Sequence, residues 1–270
     1  MTTRQRFSIR AGAVLLTLAC SLSSASAAQC SSSGGGFEDW KEAFASEARA
    51  HGVGEAGISA LMNTHYSTAT IGADRGQKSF KLSLDQFMKK RGASTIVARG
   101  RQLKRSQAAL FASLERRYGV PPGPLLAIWG METGFGAIHG NQHALSAVAT
   151  LAYDCRRSAY FTDQLYAALE LIDRGAISPN ARGSMHGEIG QTQFLPKNIL
   201  QYGTGGNLDN AGPALAATAN FLHAHGWQAG AGYQPGEANF AAIQAWNAAT
   251  VYERAIAIIG QQIDSDGAAE

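Results

Sequence analysis

The stretch VPPGPLLAIWGMETGFGAIHG, residues 120–140, decides the fold of this chain. Its three prolines fix backbone angles that suit the start of a helix. The run from Leu125 to Trp129 gives that helix an apolar body. Gly134 and Gly136 then interrupt the pattern, because glycine adopts the backbone conformation with which helices end. The stretch therefore predicts an apolar helix with Glu132 at its end.

Glu132 is the residue of this stretch that can carry chemistry. A carboxylate is costly to place beside so much apolar surface, so desolvation favours its neutral form and raises its pKa. A carboxylic acid with a raised pKa suits general acid catalysis near neutral pH. The alternative is a surface glutamate in the last turn of the helix, and the spacing alone leaves both interpretations open.

Helical periodicity dominates the rest of the chain, which we assign to the mainly α class. We find no run of period-two strands and no tandem repeat. The stretch from Gly230 to Gly236 indicates a loop or small hairpin, and Asp209 or Asn210 is placed to cap a helix that begins near Pro213. The helical stripes are Phe37, Trp40, Phe44 and Ala48; Leu103, Leu110, Leu114 and Tyr118; Phe161, Leu165, Leu169 and Ile172; the segment from Ala214 to His225; and Val251, Ala255, Ile258 and Ile259.

The first 27 residues predict a secretory signal peptide. Three arginines precede an apolar run from Ala11 to Ala19, and the segment ends in ASA at 25–27, which is typical of a cleavable leader. The run is too short to span a bilayer, and no later run approaches the roughly 20 apolar residues of a transmembrane helix. We therefore expect cleavage after Ala27 and export to the periplasm.

The basic surplus of the chain belongs to this leader. Three of the 23 basic residues lie in it and no acidic residue does, so 20 basic and 20 acidic residues remain after cleavage. The formal charge therefore falls from +3 to zero. A neutral chain gives no reason to expect a nucleic-acid partner.

Two of the three cysteines predict a disulfide. Cys20 lies within the leader, which leaves Cys30 and Cys155, and an even pair in an oxidising compartment usually forms a bridge. Closing so long a loop stabilises a chain by about 4–5 kcal/mol in the chain-entropy model. The alternative makes Cys20 a lipid anchor, but TLA at 17–19 fits a lipoprotein signal poorly.

Two further stretches offer polar groups to a ligand. GSMHGEIGQTQFLP at 183–196 suits a loop, and the amides of Gln191 and Gln193 each offer a donor and an acceptor to sugar hydroxyl and acetamido groups. An ordinary polar turn is the alternative. In IQAWNAATVY at 243–252, Asn247 is either a helix cap or a group that faces a cleft, and the sequence alone favours the cap.

Taken in order, five segments resemble lytic murein transglycosylases of the B type. Together they extend over most of the chain after the leader, and the ordered set is far more specific than any one member. The segments are GVPPGPLLAIWGMETGFG (119–136), LAYDCRRSAYF (151–161), GEIGQTQFLP (187–196), FLHAHGW (221–227) and AWN (245–247).

The resemblance implies a lysozyme-like helical fold with additional N-terminal helices and a long sugar-binding groove. We expect residues 28–270 to form a single catalytic domain. Within it we expect an N-terminal helical part at 37–118 and a lysozyme-like part at 119–263. The polar residues 264–270 predict a frayed tail.

The resemblance also implies roles for particular residues. The glutamate of the GxET segment, here Glu132, is the catalytic acid. The other positions are expected to bind peptidoglycan strands: Ser184, Gln191 and Gln193 along the groove, Arg156, Arg157 and Tyr160 at the muramoyl carboxylate or its peptide stem, and Asn247 and Tyr252 beside the last helix.

The implied reaction cleaves the bond between N-acetylmuramic acid and N-acetylglucosamine with one carboxylic acid. Glu132 protonates the glycosidic oxygen and then removes a proton from the sugar's 6-hydroxyl, which closes on C1 as a 1,6-anhydromuramoyl end. Glu188 leaves an alternative open, since a second carboxylate that positions water would make the chain a hydrolytic muramidase. We favour a structural role for Glu188, bonded to backbone N–H groups. A non-catalytic peptidoglycan-binding protein is a third possibility.

The sequence departs from the family pattern at two places. Residues 202–210 read YGTGGNLDN and lack the acidic ligands of the EF-hand-like loop in some relatives, so we predict no calcium site. Trp246 stands where a tyrosine is expected, which keeps an aromatic ring for sugar stacking but removes a hydroxyl. The spacing of the histidines does not match a zinc-protease motif, and we predict no cofactor.

Overall fold

Helices account for almost all regular structure in this computed structural model, which describes residues 28–76 and 82–265. The predicted leader and Cys20 lie outside the described residues. The first helices are α1 (Phe37–Ala50), α2 (Glu55–Met62), α3 (Thr68–Arg75), α4 (Leu84–Arg91), α5 (Ala93–Ser106), α6 (Ala108–Tyr118) and α7 (Pro122–Thr133). Then follow β1 (Gln142–His143), α8 (Ala144–Tyr153), α9 (Ser158–Asp173), β2 (Arg182–Gly183), α10 (Pro196–Tyr202), α11 (Ala211–Ala224), α12 (Phe240–Trp246) and α13 (Thr250–Asp264).

Helix α7 forms where the proline-rich stretch predicts it. Pro122 opens its first turn, and Gly134 ends it in the left-handed conformation with φ of 59°. Nearly every side chain between them is buried, so α7 is the central helix of the domain. Glu132 lies in its last turn and is half-buried.

Helices α7 and α13 pack closely at a pair of glycines. A methyl group added to Gly123 would lie 2.3 Å from the carbonyl oxygen of Gly260, which no side chain larger than hydrogen allows. Asp264 joins the same contact, because its Oδ1 accepts a 2.8 Å hydrogen bond from the backbone N–H of Gly123. Tyr233 donates a second 2.8 Å bond to Asp264. Asp264 therefore belongs to the packed domain, which corrects the start of the predicted frayed tail.

Two apolar clusters form the core. The larger contains α7 and α13 with the inner faces of α4 to α6, α11 and α12. The second joins α1 and α2 to α8 and α9, and it buries the predicted stripes of α1 and α9 completely. Because α1 and α2 pack on helices of the predicted lysozyme-like part, the N-terminal helices do not form a separate core.

The predicted disulfide links the lead-in to the body. Cys30 and Cys155 are bonded across 125 residues of sequence. Ser31 extends the connection, since its N–H donates to the carbonyl of Tyr153 at 2.9 Å and its carbonyl accepts from the N–H of Cys155 at 3.2 Å. The chain before α1 is thereby fixed beside the start of α9.

Three details of the helices differ from prediction. The stripe from Leu103 to Tyr118 is two helices, α5 and α6, because the backbone leaves helical geometry at Gln107; apolar spacing continues across the break and does not reveal it. On α13 the buried face is centred on Ile256 and Ile259, whereas Ile258 is half-buried. Asn210 stands at the start of α11 but its side chain makes no cap hydrogen bond.

A short antiparallel pairing anchors the loop that follows α9. Strands β1 and β2 contain two residues each and pair Gln142 with Gly183 and His143 with Arg182. Strands of this length have no detectable alternation, so sequence periodicity does not predict them. Their pairing fixes the start of the glycine-rich loop at 183–194, which turns toward the end of α7.

Candidate active site

The end of α7 opens into a cleft of about 590 Å³. The start of α9, the loop at 186–195, helix α10 and the end of α12 form its walls. Among the residues proposed from sequence, the cleft is lined by Glu132, Arg157, Tyr160, Gln193 and Asn247. Glu188 and Trp246 line it as well.

Glu132 is held by two donors on one carboxylate oxygen. The hydroxyl of Tyr252 donates to its Oε1 at 2.6 Å and the indole N–H of Trp246 donates to the same oxygen at 3.2 Å. Desolvation raises the pKa of Glu132 to about 7, although both donors and the charge of Arg91 act to lower it. The negative charge of Glu188 adds to the increase. Glu132 can therefore be neutral or ionised near neutral pH.

Tyr252 contacts Glu132 through its hydroxyl and is not among the residues that line the cleft. It is only 2% exposed, and its ring packs edge-on against Phe87 and 5.5 Å from the guanidinium of Arg91. Burial and the adjacent Glu132 raise its pKa well above the usual value, so it remains a donor. In this structure Tyr252 contacts the acid, and its predicted contact with substrate stays a prediction.

Ser184 holds Glu188 rather than facing the cleft. Its hydroxyl donates to Oε2 of Glu188 at 2.7 Å and accepts hydrogen bonds from the backbone N–H groups of His186 and Glu188. The predicted bonds from backbone N–H groups to the Glu188 carboxylate are thus replaced by a hydroxyl bond. Gly183 permits this turn, because a methyl group there would lie 2.0 Å from the carbonyl oxygen of Glu188.

The two glutamines of the loop have different environments. Gln191 is buried; its Oε1 accepts from the indole of Trp129 at 2.6 Å and its Nε2 donates to the carbonyl of Asp209 at 2.7 Å. Both functions of its amide are used, so Gln191 joins the loop to α7 and is not positioned to bind sugar. Gln193 does line the cleft, with a left-handed backbone at φ of 55°.

The segment after Cys155 contributes a basic and aromatic wall. Arg157 lines the cleft with its guanidinium 4.7 Å from the ring centre of Phe161, and burial lowers its pKa. Tyr160 lines the same wall and is 51% exposed. Arg156 turns away from the cleft toward α3, where it pairs with Asp74. Arg156 is thus not among the residues that line this cleft, and its predicted contact with substrate stays a prediction.

Asn247 is not the N-cap of α13, because that position is Ala249 and it has no side-chain cap hydrogen bond. Its Oδ1 accepts a 3.0 Å bond from the N–H of Ala249, just before α13, and its side chain also lines the cleft. Two residues near the site had no sequence signal: Arg91 beside Tyr252 and Asp74 behind the arginines. Both come from helices more than 40 residues before Glu132, so only tertiary packing reveals them.

The described residues contain neither a cluster of metal ligands nor a helix suited to span a membrane. In the parts of the chain that the structure describes, no three His, Cys, Asp or Glu side chains are grouped as ligands of a metal ion. Within the same ranges, no helix has the length and apolar character needed to cross a membrane.

A mainly helical domain with a poorly hydrated acid in a polar, aromatic-walled cleft defines the lysozyme-like class. The chain belongs to the family described as "Transglycosylase SLT domain", which it matches over residues 36–236. The resemblance stated from sequence is thereby confirmed.

Similar proteins of known sequence or structure are lytic transglycosylases as well. The membrane-bound lytic murein transglycosylase B of Escherichia coli K12 is 37% identical over 121 residues, which cover 42% of this chain and 34% of that protein. The match thus spans about a third of that relative's length. SltB3 from Pseudomonas aeruginosa, in complex with NAG-NAM-pentapeptide, superposes with a TM-score of 0.78 at 26% identity, covering 86% of this chain and 80% of that one.

A second structure supports the fold alone, because its sequence is more distant. Lytic transglycosylase Slt35 of Escherichia coli, in complex with bulgecin A, has a TM-score of 0.72 at 23% identity, covering 84% of this chain and 93% of that one. The mainly α, lysozyme-like fold predicted from sequence is confirmed by these likenesses.

Proposed function

We propose that this chain is a lytic transglycosylase that cleaves peptidoglycan between N-acetylmuramic acid and N-acetylglucosamine and leaves 1,6-anhydromuramoyl ends. One observation carries the proposal: Glu132 lies in the cleft with a pKa raised to about 7 and with two donors on one oxygen. The relative SltB3 has been crystallised with NAG-NAM-pentapeptide and with NAG-anhNAM-pentapeptide, and the second ligand carries the anhydro end that the proposed reaction would form.

In the first step neutral Glu132 acts as general acid. Its proton passes to the glycosidic oxygen as the bond from that oxygen to C1 breaks, and the departing sugar leaves as an alcohol. The 2-acetamido group of the substrate can stabilise the positive charge that develops at C1. Desolvation prepares this step, because the raised pKa keeps Glu132 protonated, and so able to donate, at a pH near neutral.

In the second step ionised Glu132 acts as general base. It takes the proton of the 6-hydroxyl while that oxygen bonds to C1, so no water is consumed and Glu132 returns to its neutral form. Tyr252 and Trp246 stabilise the ionised carboxylate between the two steps, since both donate to Oε1. A pKa near 7 lets the same group serve both steps at neutral pH.

A hydrolytic muramidase is the second candidate, because Glu188 lines the same cleft as Glu132. A water held by Glu188 would then attack C1 in place of the 6-hydroxyl. The bond from the Ser184 hydroxyl to Oε2 of Glu188 favours a fixed structural role for this carboxylate, so we prefer transglycosylation.

Analysis of the sugar ends separates these functions. Purified sacculi are digested with the wild type, Glu132→Gln and Glu188→Gln, and the soluble fragments are weighed by mass spectrometry. We expect anhydro ends, one water lighter than reducing ends, from the wild type and Glu188→Gln, and none from Glu132→Gln. Reducing ends that disappear with Glu188→Gln would indicate the muramidase. Full activity of Glu132→Gln would exclude both schemes, and binding without release would indicate a non-catalytic wall-binding protein.

We also place the protein in the periplasm, as a single catalytic domain over residues 28–270. The predicted leader supports export, and the Cys30–Cys155 bridge suits an oxidising compartment. Fractionation of cells followed by mass determination of the N-terminus would test this, with cleavage after Ala27 as the expected result and a lipid on Cys20 as the contrary one.

A further inference from the structure

Arg157 enters the cleft from the short connection between α8 and α9, and a distant carboxylate holds it there. Asp74, in the last turn of α3, is buried with 6% of its surface exposed. One of its carboxylate oxygens pairs with Arg157 and the other pairs with Arg156. The backbone carbonyl of Asp74 accepts a further bond from Arg156 at 3.2 Å.

A reciprocal contact fixes the same two segments to each other. Asp154 is also buried; its Oδ2 accepts from the guanidinium of Arg75 at 2.7 Å and its Oδ1 accepts from the backbone N–H of Arg156 at 2.9 Å. Asp74 of α3 thus pairs with the two arginines of the connection, and Asp154 of the connection pairs with Arg75 of α3. This arrangement resists sliding of one segment along the other, because displacement would leave a buried carboxylate unpaired.

The disulfide holds the connection from its other side. Cys155 lies between Asp154 and the arginines and is bonded to Cys30. The backbone of Ser31 bonds to both Tyr153 and Cys155. The connection is therefore held by α3, by the lead-in and by a covalent link.

The charge of this cluster suits an anionic ligand. Asp74 offers one negative charge to two guanidinium groups, so positive charge remains on Arg157 where it meets the cleft. A guanidinium has five donors, and a single terminal nitrogen of Arg157 pairs with Asp74. Its Nε–H is buried, so the remaining donors of its terminal nitrogens are the ones that can reach a carboxylate in the cleft.

We propose that Asp74 is a positioning residue for substrate binding: it presents Arg157 to a carboxylate of the glycopeptide, while the Cys30–Cys155 bridge keeps the connection in place. The inference rests on the proposed function, since it takes the ligand to be a muropeptide. It adds a residue of α3, outside the cleft, to the determinants of affinity for the anionic part of that ligand.

The proposal is tested by measuring the binding of two ligands. The protein is the full chain after the leader, and every variant also carries Glu132→Gln, which prevents cleavage and serves as the background. Calorimetry compares NAG-NAM-pentapeptide, which carries carboxylates, with a tetramer of N-acetylglucosamine, which carries none. We expect Asp74→Asn to weaken binding of the muropeptide about tenfold and to change binding of the tetramer less than about twofold. Equal affinity of both proteins for the muropeptide would overturn the inference alone. No muropeptide binding by the background protein would overturn the proposed function and the inference with it.

A matched control separates positioning from general stability. Asp173→Asn removes another carboxylate that ties an N-terminal helix to α9, through bonds of 2.6 and 2.7 Å to the N–H groups of Gly54 and Gly57. We expect this variant to bind both ligands as the background does. If it weakens muropeptide binding as much as Asp74→Asn, the effect is not specific to the arginine wall and the inference fails.

A double-mutant cycle tests the route through Arg157. Once Arg157→Gln has removed the guanidinium, Asp74→Asn should cause no further loss of muropeptide affinity; an additive loss would show that Asp74 acts elsewhere. If Asp74→Asn does not fold, the paired change Cys30→Ser and Cys155→Ser takes its place. The pair should weaken the muropeptide several-fold and spare the tetramer, and an equal effect on both ligands would contradict the proposal.

Discussion

The hydroxyl of Tyr252 donates a 2.6 Å hydrogen bond to Oε1 of Glu132, and the indole of Trp246 donates to the same oxygen. Because Oε1 already accepts two hydrogen bonds, we expect the proton of the neutral acid to reside on Oε2. The two oxygens of one carboxyl group would then have separate tasks, with Oε1 held by the protein and Oε2 available to the sugar.

Tyr252→Phe should shift the pH profile of turnover to higher pH. The hydroxyl bond favours ionised Glu132 and lowers its pKa; without it the pKa rises, so the acid stays protonated to higher pH and the alkaline limb shifts the same way. We expect kcat to fall about tenfold, because the carboxylate between the two steps loses a charge-assisted bond of about 1.5–3 kcal/mol. Turnover of defined muropeptides from pH 5 to 9 is the measurement.

Tyr233→Phe is the matched control for that variant. It removes a hydroxyl bond of 2.8 Å to a half-buried carboxylate, Asp264, which lies beside the start of α7 and not beside Glu132. Its pH profile should coincide with that of the wild type. A profile for Tyr252→Phe that also coincides would contradict the assigned role of the hydroxyl.

Glu132→Gln should stabilise the protein at alkaline pH. The pKa of Glu132 is about 7 in the folded chain against an ordinary value of 4.5, so the folded state retains a proton that the unfolded state has lost. The free energy of unfolding therefore decreases from pH 4.5 through pH 7, by about 3 kcal/mol for such a shift. Glutamine lacks this titration, so its advantage over the wild type should grow between pH 4.5 and pH 7, be complete above pH 7 and vanish below pH 4.5.

Urea unfolding at pH 4 and at pH 8 measures that difference. The exposed Glu115 provides the control, as Glu115→Gln should shift stability by the same small amount at both values. If Glu132→Gln gains nothing at pH 8 over pH 4, the carboxylate is not desolvated in the way that the structure indicates.

Glu188→Gln should shift the alkaline limb of the pH profile of turnover to lower pH. The negative charge of Glu188 raises the pKa of Glu132, so its removal lets Glu132 ionise at lower pH. Glutamine can still accept the hydrogen bond from Ser184 and retain the loop. Turnover against pH at low ionic strength is the measurement, because salt weakens interactions between charges in an open cleft. An unchanged limb would show that the charge of Glu188 does not reach the acid.

Gly183→Ala should destabilise the protein and displace the glycine-rich loop. The new methyl group would lie 2.0 Å from the carbonyl oxygen of Glu188, and backbone cannot give way cheaply, so we expect a loss of about 1–3 kcal/mol. Gly72→Ala is the control, since nothing lies within 4 Å of a methyl group there and the position is inside α3. That change should stabilise by about 0.5–1 kcal/mol. Equal effects in thermal unfolding would contradict the packing of the loop.

Local patterns predict the parts of the site that depend on one segment. The apolar run, the prolines and the two glycines place Glu132 at the end of α7, because all of them act within a few helical turns. The direction of a loop amide is different. Gln191 and Gln193 have the same chemistry two positions apart, yet one bonds to Trp129 inside the domain and the other lines the cleft. Only the path of the loop between its glycines decides which amide reaches solvent.

Relationships between distant segments are beyond such patterns. Tyr252 reads as an ordinary residue near a helix start, and its role beside Glu132 depends on the packing of α13 against α7. Asp74 and Arg157 are separated by 83 residues, and neither has a neighbour that indicates the other. The family resemblance identifies Arg157 as a candidate, but it does not identify the carboxylate that pairs with it.

The contact between Gly123 and Gly260 sets how closely α7 and α13 approach each other. Gly123 and Gly260 meet at one end of the crossing, while Glu132 and its phenolic partner are carried at the other, about 13 Å along the helix axis. A side chain added at either glycine would push the two helices apart, and the hydrogen bond from Tyr252 to Glu132 would then change its length. We therefore expect the acidity of Glu132 to depend on the packing of residue 123, although that residue lies outside the cleft.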